Sequence, residues 1–91
     1  MFETDIVKLM VSKFDGDLTG PIPSEWLRHA NPVIKDICPN GSEHMLVCLH
    51  MLRLPEKLNN KFRSRNFGKP FTLDSLEKLL VDAYPVQGWG E

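Results

Sequence analysis

Residues 43–53 read EHMLVCLHMLR, and their reading decides the fold. Met45, Leu46, Val47, Cys48, Leu49, Met51, Leu52 and the following Leu54 leave neither the strict alternation of a half-buried strand nor the single stripe of a surface helix. A helix that is apolar nearly all round packs in the middle of a bundle, with its neighbours on every side. Ser42 stands where an N-cap is wanted, and Pro55 prevents the helix from continuing without a kink. His50 and Arg53 interrupt the run, which stays well short of the roughly 18 apolar residues of a membrane span. The expectation is an all-α protein built round a central apolar helix at about 43–53.

Working outward, Pro39, Asn40 and Gly41 form a turn. Before it, Asn31 is expected to cap a short helical turn with Pro32 in its first position and Val33, Ile34 and Ile37 facing inward. A separate short helix is expected over 25–29. Residues 15–23, DGDLTGPIP, hold two glycines and two prolines and read as a loop. The first helix is expected to place Phe2, Ile6, Leu9, Met10 and Phe14 on the core, with Glu3, Lys8 and Lys13 outside, and to stop at Asp15-Gly16. Downstream, Pro55 suits the first turn of a helix reaching about Arg63. Residues 67–70, FGKP, break the chain again. Thr72 caps the last helix, Asp74 and Glu77 sit in its first turns, and Leu73, Leu76, Leu79, Leu80, Ala83 and Tyr84 make its stripe. The sum is one compact domain over 1–84, a bundle of four to six short helices, with 85–91 as a C-terminal tail. A minimal two-stranded pairing between 18–22 and 69–71 is the one place where strand fits.

Charge is unevenly spread. Residues 57–69, KLNNKFRSRNFGK, carry five of the eleven basic residues and none of the twelve acids, which leaves six bases against twelve acids elsewhere. Lys57, Lys61, Arg63, Arg65 and Lys69 are therefore the candidate partner-binding residues. The Leu58–Phe62 pair at i, i+4 marks an inward face, so these cations are expected to be exposed and Phe62 buried. A formal charge of −1 and a pI near 6.3 are unlike a dedicated nucleic-acid binder. The expected function is a small protein-binding module (a regulator, inhibitor or accessory subunit) whose patch docks an acidic partner surface. The alternative is nucleic acid, with cations on phosphates, Phe62 and Phe67 stacking on unpaired bases, and Asn59, Asn60 and Asn66 on base edges.

No Gly-rich phosphate loop, nucleophile elbow or paired catalytic motif is present, so the protein is expected to bind rather than catalyse and to need no cofactor. Cys38, His44, Cys48 and His50 are residue types that zinc prefers, and His44 and Cys48 share a helix face. However, no C-x-x-C pair anchors the set, and His50 falls on another face. No resident metal is expected. Residues 15–22, DGDLTGPI, resemble the first half of an EF-hand loop, with oxygen-bearing side chains at the first, third and fifth positions, glycine at the sixth and an aliphatic residue at the eighth. The resemblance would imply a divalent-cation site over 15–26, but Trp26 stands where the closing bidentate glutamate belongs. Two cysteines are too few for a disulfide framework, and the acid-led N-terminal segment reads unlike a signal peptide. The expected compartment is the cytoplasm.

Overall fold

The computed structural model describes residues 2–14 and 22–83. These residues form five helices and no strand: α1 (Glu3–Met10), α2 (Pro23–Ile37), α3 (Glu43–Met51), α4 (Glu56–Arg65) and α5 (Leu73–Ala83). Asp15, Asp17 and Thr19 of the EF-hand-like loop, residues 18–21 of the expected 18–22/69–71 pairing, Tyr84 and the 85–91 tail lie outside the described residues. No helix among the described residues is long and apolar enough to cross a membrane.

The caps follow the sequence. Ser42 Oγ accepts the Met45 N–H at 3.2 Å to start α3, and Thr72 Oγ1 accepts the Ser75 N–H at 3.1 Å to start α5. Leu46, Val47, Leu49, His50 and Met51 of α3 are buried, though Met45 remains 42% exposed. From α5, Leu76, Leu79 and Leu80 join the core. At the bend before α3, the Gly41 N–H donates to Cys38 O at 3.2 Å. A Cβ on Gly41 would stand 2.8 Å from Cys38 Sγ, so this close turn has little room for a side chain.

Two expectations need correction. The two short segments at 25–29 and 32–37 are a single helix, α2, with Pro32 inside it. An interior proline costs about 3 kcal/mol. Packing offsets it, because the buried stripe Pro23, Trp26, Ala30, Ile34 runs past Pro32 without a change of phase and α2 packs against α1, α3 and α5. Pro32 itself faces solvent.

The second correction concerns α1, whose expected face is turned round. Val7 and Val11 are buried, whereas Phe2 is 77%, Leu9 74% and Met10 63% exposed. The cause lies beyond the helix. Val11 is extended at φ −108°, ψ 125°, so α1 ends at Met10 and a 3.6-residue period cannot be carried through to Phe14. Three nonlocal hydrogen bonds, each 2.8 Å, fix the extended piece: Phe14 N–H to Arg53 O, Arg53 Nε to Val11 O, and Trp26 Nε1 to Ser12 O. They seat Phe14 5.5 Å from the Trp26 ring and set the roll of α1.

Candidate functional site

The basic segment of 57–69 does not form one patch. At 100° per residue, Lys57, Lys61 and Arg65 fall on one flank of the buried Leu58–Phe62 stripe, and Asn59 and Arg63 on the other. Phe62 is fully buried and Lys57, Lys61, Arg63, Arg65 and Lys69 are exposed, as expected. Burial removes Phe62 from any stacking role. Arg65 Nη1 is 3.6 Å from Asp82 Oδ2 of α5, a solvated pair of little energetic weight. The linear run thus divides into a helix flank and a second group gathered at the end of α4.

That second group lines an open groove of about 710 Å³. Arg63 forms one side, and the loop from Asn66 to Phe71 forms the rest, with His44 of α3 behind it. The loop is a built element. Asn66 ends α4 by giving both its N–H (3.1 Å) and its Nδ2 (3.0 Å) to Phe62 O. A β-turn follows, closed by Lys69 N–H to Asn66 O at 3.0 Å. Gly68 sits at its third position with φ +77°, the left-handed value a type II turn demands there. This turn leaves Phe67 89% exposed at the groove's edge.

The far end of the loop is pinned to the start of α3. His44 Nδ1 accepts the Phe71 N–H at 2.9 Å, so the neutral ring carries its proton on Nε2. Glu43 Oε2 accepts the Leu73 N–H at 3.1 Å. The Phe71 ring lies between His44 (centroids 4.5 Å apart) and Phe62 (4.9 Å, edge to face), which ties the floor of the groove to the core. Arg63 is also oriented. Its Nε donates to Asn59 Oδ1 at 2.7 Å, leaving the two terminal NH2 groups to grip a carboxylate or phosphate side-on. The site therefore offers aromatic surface from Phe67 and Phe71, a planar cation from Arg63 and a point charge from Lys69.

Sequence reasoning singles out Arg63, Phe67 and Lys69 for binding but considers His44 only as a metal ligand and gives Phe71 no site role. His44 is 27 residues from its partner Phe71, and no local pattern links them. The Cys38, His44, Cys48 and His50 set is dispersed. Cys38 Sγ lies 3.8 Å from Met45 Sδ, His44 holds the groove and His50 is in the core. Among the described residues no three His, Cys, Asp or Glu side chains gather in a way that would hold a metal ion. Both cysteines are free thiols. Comparison with protein-family models, curated proteins and solved structures finds no match to the chain.

Proposed function

We propose that the protein is a non-enzymatic binding module whose groove docks an acidic segment of a partner protein. The observation that carries this reading is Phe67, 89% exposed beside two cations and held out by a turn built for it. An exposed aromatic ring on an ordered turn does not help the core, and beside the Phe71 ring and two cations it offers an anchor that a partner can bury. An aliphatic or aromatic side chain of the partner packs on Phe67 and Phe71. Flanking carboxylates meet Arg63 and Lys69, in the way charge complementarity sets register and partner choice. A chain of net charge −1 suits a local acidic ligand better than a polyanion of uniform charge. Regulation, inhibition or assembly of that partner is the role such a module plays, and two free thiols suit the reducing cytoplasm.

Affinity capture from native lysate, run with and without nuclease, tests this with two paired variants. Arg63→Glu/Lys69→Glu should release a stoichiometric protein partner, weakening capture by roughly tenfold or more. Lys57→Glu/Lys61→Glu, on the other flank, should retain it. Heterogeneous, nuclease-sensitive recovery that falls steeply with salt would assign the groove to nucleic acid. Equal loss from both pairs would return the binding to a diffuse basic surface.

A further inference from the structure

The outward face of α1 is a second site, independent of the groove. Leu9 points almost directly away from the buried Val7, with the half-buried Ile6 beside it, Met10 further round and the exposed Phe2 at the N-cap. Three large apolar side chains, each more than 60% exposed, thus lie on one short helix and its N-cap. Nothing among the described residues covers them, since the clamp of 11–14 on Arg53 and Trp26 holds the opposite face inward.

The charges bordering this stripe indicate what does cover it. Asp5 and Lys8, three residues apart, lie along one edge about a turn from each other, the acid toward the N-terminus and the base toward the C-terminus. An identical helix laid antiparallel across the stripe reverses that order. Its Lys8 then meets Asp5, and its Asp5 meets Lys8. Such self-complementarity is what a two-fold interface requires, each contact occurring twice. We infer that α1 is a self-association surface on which a second copy of this chain docks antiparallel, Asp5 against Lys8 and Leu9 against Ile6. The stripe is small beside the roughly 800 Å² per partner of a standard interface, so the dimer is a weak one.

Sedimentation equilibrium of the full chain up to about 1 mM tests this, because that range brackets a weak dimer. Wild type should move from monomer to dimer across the range, and Leu9→Glu should stay monomeric with an unchanged circular-dichroism spectrum. Lys8→Asp and Asp5→Lys should each associate roughly tenfold more weakly or worse, because each places like charges across the two-fold axis. An equimolar mixture of these two variants should recover association, since one chain then presents acid at both positions and the other presents base at both. Asp5 also accepts the Phe2 N–H at 3.3 Å, so should Asp5→Lys lose helix, the Lys8→Asp and Leu9→Glu arms decide the matter. A wild type that remains monomeric at the top of the range overturns the proposal. So does association that survives Leu9→Glu, or a mixture of well-folded variants that associates no better than either alone. Monomers that bind anionic vesicles through Leu9, or whose Trp89 fluorescence shifts on Leu9→Glu, would give the face to a lipid surface or to the 85–91 tail, against the proposal.

Discussion

Acidification should destabilise the fold through His50. The ring is fully buried, its edge turned to Trp26 at 6.0 Å, and its Nδ1 lies 2.7 Å from Leu46 O. A carbonyl only accepts, so Nδ1 carries the proton, and Nε2 is buried with no hydrogen-bond partner among the described residues. Charging the ring would place a second N–H and a positive charge in an apolar core. Burial accordingly lowers its pKa below 6.5, with the bond to Leu46 opposing the shift. The sign follows. Below pH 6.5 the unfolded chain takes up a proton that the folded chain still refuses, so the unfolded state binds more protons and stability falls as pH falls. The slope reaches about 1.4 kcal/mol per pH unit and continues until the folded ring titrates. Above roughly pH 7.5 this group contributes no slope. The fall continues with acidification until the folded ring titrates, in a domain with only about 5–15 kcal/mol of stability to lose. Urea denaturation of wild type and His50→Gln at pH 8, 7, 6 and 5 reads the effect. Carboxylates titrate alike in both proteins, so the difference between the two curves isolates His50. Parallel curves would refute the reasoning, as would an imidazole whose NMR signal titrates at the free value while the protein is folded.

Leu49, 5% exposed in α3, should not tolerate charge. Leu49→Asp buries an unpaired carboxylate at a cost above about 4 kcal/mol, and the helical circular-dichroism signal should lose its cooperative melt. A melting point within a few degrees of wild type would put Leu49 at a surface instead. Gly68→Ala meets no atom within 4 Å, so its cost is the left-handed φ alone, about 1 kcal/mol. Because that strain acts on the turn that projects Phe67, partner capture should weaken by more than the small fall in melting temperature suggests. Undiminished capture would mean that the turn does not set the site.

What is legible in the sequence is what is local. The caps at Ser42 and Thr72, the apolar α3 and the α5 stripe each depend on residues within one or two turns, and each is found where the pattern places it. A proline rule applied one residue at a time divides α2, although the uninterrupted stripe Trp26–Ala30–Ile34 carries the stronger signal. α1 offers two apolar sets, and only hydrogen bonds from Arg53 and Trp26, distant in sequence, choose between them. The basic segment shows the same limit. Its charges are plain in the sequence, but the helix sends them to two flanks, and the groove is completed by His44 from another helix.

These nonlocal choices also relate the two surfaces. The 11–14 clamp joins α1 to Arg53, just past the C-terminal end of α3, whereas His44 and the groove stand at its N-terminal end, the length of a nine-residue helix away, or about 13 Å. Docking through α1 therefore leaves both grooves of a pair open. A partner bearing one acidic motif would gain nothing from the pairing. One bearing two suitably spaced motifs would convert its second contact into an intramolecular event, a gain of order 10²–10⁴ in apparent affinity without any new contact. The two surfaces then make a joint, measurable demand. Leu9→Glu should leave the affinity for a single motif unchanged and reduce the affinity for a tandem one, whereas Arg63→Glu/Lys69→Glu should weaken both.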